Sequence, residues 1–202
     1  MSILGSSSYE NLTNSPLVGD SVRLRLPVPG DWQEWSQLRE SSREFLVPWE
    51  PEWANDSHSR VAYRRRLRRQ KKEASEGISF SFFVVRLSDR RLLGGITLNN
   101  IQRGVSQRCS VGFWIGKRYA RSGYMTEGLH CVLSHCFKTV GLNRVEAACM
   151  PDNGASKALL IRCGFQREGY AKKYLKINGV WRDHLLFAIL KDELVKQNSD
   201  IN

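Results

Sequence analysis

The sequence predicts an α/β fold, a single domain with a central mixed, mostly antiparallel sheet flanked by helices. Three observations lead there. Between Cys109 and Val140 the apolar period changes: Val111, Phe113 and Ile115 alternate as in a half-buried strand, then Leu129, Val132, Leu133, Cys136 and Phe137 recur at helical spacing. A second strand-to-helix change runs from Val145–Met150 into a capped segment ending at Gly164-Phe165. Two further pairs of strand-like runs are joined by turn signals, Ser88-Asp89-Arg90 and Asn178-Gly179, the second a strong hairpin pair. Strands of both kinds, interleaved with helices, make a mixed sheet with helices on its faces.

Taken in order, the 202 residues suit one domain with a real core. Residues 1–20, rich in Ser, Asn and Gly, read as a flexible N-terminal arm, 21–192 as the domain and 193–202 as a C-terminal tail. Val22 to Leu26 alternates and opens the sheet. Pro29-Gly30-Asp31 starts a helix with Trp32, Trp35 and Leu38 on one face and Asp31 as its expected cap. Phe45 to Trp53, FLVPWEPEW, has two prolines, which exclude regular helix or central strand and predict an ordered loop. Ser57 to Ser75 reads as a helix capped by Ser57, with Val61, Ala62, Tyr63 and Leu67 available to face inward. Phe80–Leu87 and Leu92–Ile101 form a hairpin, and a turn near Arg103-Gly104 leads to the Cys109 strand. The next helix runs from Thr126 to a stop at Gly141. After the Val145 strand, Asp152 or Asn153 caps a short helix whose apolar surface is Ala158, Leu159 and Ile161. Phe165–Tyr174 and Val180–Leu190 complete the sheet.

Composition narrows the class. No run approaches the ~18 apolar residues that cross a bilayer, and the first residues lack a secretory pattern, so the expectation is a soluble, cytoplasmic protein with no membrane partner. Cys109, Cys131, Cys136, Cys149 and Cys163 are odd in number and scattered through elements, which predicts reduced, buried thiols and neither a disulfide framework nor a metal site. The formal net charge is +11, and much of it lies between Arg60 and Lys72. That basic helix reads either as a contact for a ribosome or nucleic acid or as a solvated face.

The loop Arg121-Ser122-Gly123-Tyr124-Met125-Thr126 joins a strand to a helix N-terminus, where unpaired N–H groups and the peptide dipole attract anions. Gly123 either lets the backbone approach a phosphate or merely permits a turn. This segment, ARSGYMTEGL, together with GLNRVEAACMPDNGASKALLIRCGFQREG, resembles the acetyl-CoA-binding core of the GNAT N-acetyltransferases. FLVPWEPEW and YLKINGVWRDHLLFAI resemble the branch that acetylates ribosomal-protein alanine. The likeness runs from about Val22 to Ile189.

That resemblance implies a GNAT fold and acetyl-CoA as co-substrate, with no metal. The pyrophosphate would lie on the backbone of Arg121, Ser122, Gly123, Tyr124, Met125 and Thr126, the pantetheine along Phe113, Trp114 and Ile115, and Asn153 and Ser156 would face the same ligand. Two departures stand out. Ala120 replaces a common Gln or Arg and Arg121 a common Gly. Leu160 occupies the place of a frequent tyrosine proton donor, leaving Ser156 as the best donor to the departing thiolate and Tyr124 as second choice. Glu50, Glu52, Glu127, Asp183 and His184 are candidate bases, Asn153 could position a water, and Glu50 or Glu52 either attracts a cationic amine or is solvated. Asp183 and His184 read more readily as structural groups. The acceptor expected from the resemblance is a protein N-terminus, such as that of a ribosomal protein. A small-molecule amine, or ribosome and RNA binding on a degenerate acetyltransferase fold, are the alternatives. The oligomeric state is open.

Overall fold

The computed structural model describes residues 16–193. One eight-stranded sheet runs in the order β1-β2-β3-β4-β5-β6-β8-β7: β1 (Leu17–Val18), β2 (Val22–Arg25), β3 (Phe80–Arg86), β4 (Leu92–Gln102), β5 (Arg108–Ile115), β6 (Arg144–Cys149), β7 (Gln166–Ile177) and β8 (Val180–Leu190). Every neighbouring pair is antiparallel except β5 and β6. That exception follows from the connection. β5 and β6 are joined through helix α4 (Tyr124–Ser134), and a crossover of this length can return the chain in the same direction, which a tight turn cannot.

Helices α1 (Trp32–Ser41), α2 (Arg43–Leu46), α3 (Arg60–Ser75) and α5 (Gly154–Arg162) complete the element set. β3 reads FSFFVVR, and all but its last residue are buried, the signature of a strand covered on both faces. α4 covers one of them: a Cβ on Gly128 would come within 3.6 Å of Val84, and in the turn that continues the helix the His135 ring lies 6.4 Å from that of Phe82. Trp35 and Leu38 of α1 and Tyr63 of α3 enter the same apolar core. The Tyr63 hydroxyl donates to the Val28 carbonyl at 3.0 Å, so the ring is buried without an orphaned polar atom.

Several boundaries differ from expectation. Residues 1–15 of the expected arm and 194–202 of the expected tail lie outside the described residues, but Leu17–Val18 already pairs with β2. Glu127 of α4 accepts from the Ser21 and Val22 N–H groups at 2.7 and 3.2 Å and holds this segment onto the domain. Asp31 does not cap α1; its carboxylate accepts from Val28 N–H at 2.8 Å and pairs with Arg25. The cap of α3 is Ser59, whose hydroxyl accepts from Ala62 N–H at 3.1 Å, and not Ser57. Tyr63 is buried and Leu67 packs against the core, as expected, but Val61 is 66% exposed and Ala74 joins the inner face. The FLVPWEPEW segment begins with the end of α2 and a 3-10 turn at Val47–Trp49, since proline is tolerated in a first helical turn. α4 starts at Tyr124, two residues before expectation, and passes into a π-helical turn at His135–Val140, a form of helix ending closed by left-handed Gly141. In α5 the buried residue is Leu160, while Ile161 is 61% exposed.

Candidate active site at the splayed strands

β5 and β6 pair only over Arg108–Ser110 and Arg144–Glu146. Beyond that, β5 stays with β4 as far as Ile115 opposite Gly94, and β6 stays with β8 as far as Cys149 opposite Leu185. The two parallel strands thus part, and each leaves a free row of N–H and C=O groups toward the gap. Phe113, Trp114 and Ile115 lie on the open stretch of β5 and are half-buried. In sheets of this kind ligands bind outside the carboxyl ends of parallel strands, where connections diverge. Both connections from these ends enter helices, α4 and α5.

The turn into α4 is shaped for an anion. Arg121 and Gly123 both have left-handed φ, 62° and 81°, with Ser122 between them. Such alternation curves successive N–H groups into a concavity. No side-chain acceptor caps α4 among the described residues, so the N–H groups of Tyr124, Met125 and Thr126 face outward unpaired. A Cβ on Gly123 would meet nothing within 4 Å: the space is open, and glycine is there for its φ and for close approach. Arg121 and Ser122 are exposed beside it. The Tyr124 hydroxyl is engaged elsewhere, accepting from Arg86 at 3.4 Å.

At the head of α5, Asn153 is buried and its Oδ1 accepts from Ser156 N–H at 3.0 Å. Asn153 is therefore the cap, and its side chain holds the Ser156 backbone in register. The Ser156 hydroxyl has no hydrogen-bond partner among the described residues. Leu160 is fully buried in the core, so this position supplies packing and no proton. Burial pushes the Cys149 thiol up to about 11 and the Cys163 thiol up to about 12, which keeps both protonated and poorly nucleophilic at neutral pH.

A cluster built on Arg39, a residue passed over in the sequence analysis, walls the site on the α1 side. Arg39, buried, forms a bidentate pair with Glu50, whose Oε2 also accepts from Trp53 Nε1 at 2.8 Å. The guanidinium lies 4.4 Å from the Trp53 ring centroid and 4.8 Å from that of Trp114. Charge pairing and two cation–π contacts offset part of the hydration that Arg39 loses, while its Nε is buried without a partner among the described residues. Trp114 fits because its strand partner is Gly95, where a Cβ would sit 2.6 Å from the indole Nε1. The signal for Arg39 was present: it stands four residues after Trp35, on the inner stripe of α1.

Glu127, Asp183 and His184 are committed to structure. Glu127 holds Ser21 and Val22; burial alone would raise its pKa, but these hydrogen bonds outweigh it and the net shift is downward. Asp183 accepts from the Tyr170 hydroxyl and from Lys173 N–H. His184 is buried, with Nδ1 3.0 Å from the Arg182 carbonyl. Glu50 is brought to the site through Arg39 and Trp114, but as one half of an ion pair. Glu52 is exposed near the hairpin tip, and the Glu50 carbonyl accepts from Asn178 N–H at 2.9 Å, which docks that tip on the 47–53 segment.

The described residues contain no group of three or more His, Cys, Asp or Glu placed to hold a metal, and no helix long and apolar enough to cross a membrane. Comparison with known proteins gives the family. A family model described as an acetyltransferase (GNAT) domain matches residues 21–166. The chain is 33% identical over 180 residues to the [ribosomal protein uS5]-alanine N-acetyltransferase of Escherichia coli K12, covering 89% of this chain and 92% of that protein. The crystal structure of the ribosomal-protein-S5-alanine acetyltransferase of Vibrio fischeri superposes with a TM-score of 0.82 at 28% identity, over 89% of this chain and 98% of that one. Mycobacterium smegmatis RimJ, in complex with CoA-disulfide, gives 0.80 at 30% identity, over 91% and 97%. The chain belongs to the GNAT acetyltransferase family and is an acetyl-CoA-dependent acyltransferase.

Proposed function

We propose that this enzyme acetylates the N-terminal α-amine of a protein, and that the protein is a ribosomal one. The observation that carries the reading is the 33% identity, over 92% of its length, to an enzyme named for acetylating the alanine of ribosomal protein uS5. The state of the candidate bases supports an α-amine. Of the five, Glu50, Glu127, Asp183 and His184 are engaged with other groups of the chain, and Glu52 is exposed near the β7–β8 hairpin tip. An α-amine titrates near 8, so about a tenth is neutral at pH 7 and water can accept its proton; a lysine near 10.4 would need a strong base.

Acetyl-CoA supplies the thioester. The first-turn N–H groups of α4, with Arg121, hold its pyrophosphate, and the free edge of β5 at Phe113–Ile115 takes the pantetheine amides. The neutral amine nitrogen bonds to the acetyl carbon, the carbon–sulfur bond breaks, the nitrogen gives up one proton to water, and the thiolate takes a proton from the Ser156 hydroxyl, which regains one from that water. Positioning does most of the work, since holding amine and thioester together removes a large entropic barrier.

Calorimetric titration with acetyl-CoA tests the ligand site, and mass spectrometry of a peptide beginning with alanine tests the acceptor. Micromolar binding that Gly123→Glu abolishes is expected, because a carboxylate in the anion loop repels pyrophosphate. Acetyl should appear on the free N-terminus. Faster transfer to lysine in an N-terminally blocked peptide, or to spermidine, would overturn the acceptor reading.

A further inference from the structure

The transfer chemistry leaves the outer face of α3 unused. From Arg60 to Lys72 this helix carries no acidic residue. Arg66 turns inward, its guanidinium 5.6 Å from the Trp35 ring centroid. Arg65 pairs with Asp56 at 2.7 Å, Arg69 lies 3.6 Å from Glu73, and Lys72 lies 3.9 Å from Glu76. Arg60, Arg64, Arg68 and Lys71 are exposed and have no carboxylate partner among the described residues. At 3.6 residues per turn these four fall in one stripe about 80° wide and roughly 16 Å long.

In the isolated protein this stripe opposes its own helix. Arg60 and Arg64, and Arg64 and Arg68, are like charges at i,i+4, and cations in the first turns oppose the helix dipole. An external polyanion relieves both. A membrane surface needs large apolar side chains beside the cations, and a protein partner needs a desolvated apolar anchor. On α3 the exposed large apolar residue is Val61, while Tyr63 and Ala74 are spent on the core. A row of guanidinium forks without an apolar centre suits phosphate oxygens.

The stripe also stands beside the acceptor wall. Arg60 follows His58 by two residues, and the His58 ring lies 4.6 Å from that of Trp53. We propose that the outer face of α3, through Arg60, Arg64, Arg68 and Lys71, docks the enzyme on the phosphate backbone of a folded RNA next to the acceptor mouth. The choice of RNA over DNA rests on the ribosomal substrate proposed above; the phosphate contact does not.

The test is fluorescence anisotropy of the full chain with a labelled RNA stem-loop over a salt series, without acetyl-CoA or peptide. Replacing all four residues by Gln should lower the slope of log affinity against log salt by about 3, as expected for four lost phosphate contacts. The variant should melt no lower than the native chain, since it loses like-charge repulsion, and should keep the native rate of acetylating a free peptide, so failure here is distinct from failure of the acceptor reading. Gln at Arg167, Lys172, Lys176 and Arg182 removes the same charge elsewhere and should leave the slope unchanged. An unchanged slope in the α3 variant, or an equal loss in the second variant, overturns the proposal. So does tighter binding of the native chain to duplex DNA, to polyglutamate or to phosphatidylserine vesicles than to the RNA.

Discussion

Ser156 is the residue on which the proposed chemistry turns. It stands in the first turn of α5, its N–H held by the buried Asn153 side chain and its hydroxyl free of partners among the described residues. A hydroxyl placed this way can meet a leaving thiolate, and general acid help of this kind is worth about 10²-fold or more. Ser156→Ala is therefore expected to lower kcat by about a hundredfold with acetyl-CoA affinity little changed, since the removed group acts on the leaving sulfur and not on the phosphates. Steady-state kinetics beside a calorimetric titration separates the two effects. A kcat within a factor of two of native would end the assignment and leave water as the proton source. A cap at Asp152 or Asn153 was legible from the Asp-Asn-Gly run before a helical stripe, and the structure assigns it to Asn153. The burial of Leu160 was not, because α5 is short and its Leu-Leu-Ile run offers several choices of inner face.

At the scale of elements, the loop at 47–53 is held between α1 and the β7–β8 hairpin. Arg39 reaches it from α1 through Glu50, and the hairpin tip donates Asn178 N–H to the Glu50 carbonyl at 2.9 Å. Removing one partner of a buried ion pair leaves the other charge without water or counter-charge. Glu50→Ala should cost about 3 kcal/mol of stability by urea unfolding, and Arg39→Met combined with Glu50→Met should recover part of it. The same single variant should raise KM for a peptide acceptor while leaving acetyl-CoA affinity near native, because the anion loop lies on the far connection, between β5 and α4. A loss confined to acetyl-CoA binding would mean that the cluster serves the cofactor side. Sequence reading recognised an ordered loop from its two prolines and its tryptophans, but the partner of Glu50 lies eleven residues away on another element. Only folding brings the two within reach.

The whole molecule carries a net charge of +11, and acid works against it in two ways. Protonation adds to self-repulsion. It also acts through His58 and His135, whose pKa values burial lowers from an ordinary 6.5; for His58 the hydrogen bond to Glu40 offsets part of the shift. The unfolded chain then takes up these protons first. Their contribution to stability is present above pH 6.5 and is lost as pH falls from there through the folded values. Thermal unfolding at constant ionic strength should show the midpoint dropping between pH 7 and 5, and His135→Gln should flatten the slope. A flat profile in the native chain would mean that neither ring is buried neutral.

What the sequence determined by itself was the succession of strands and helices, the strand-to-loop-to-helix unit at Cys109–Val140 and the capped helix after it. Apolar period, turn residues and caps are local, and a few neighbouring residues suffice to express them. The tertiary structure decided where β5 and β6 part, that Arg39 lies between two tryptophans, and which carboxylates are already spoken for. Each of these depends on residues far apart in the chain meeting in water-poor surroundings, where a charge must find a partner and a strand edge must find a neighbour or a ligand.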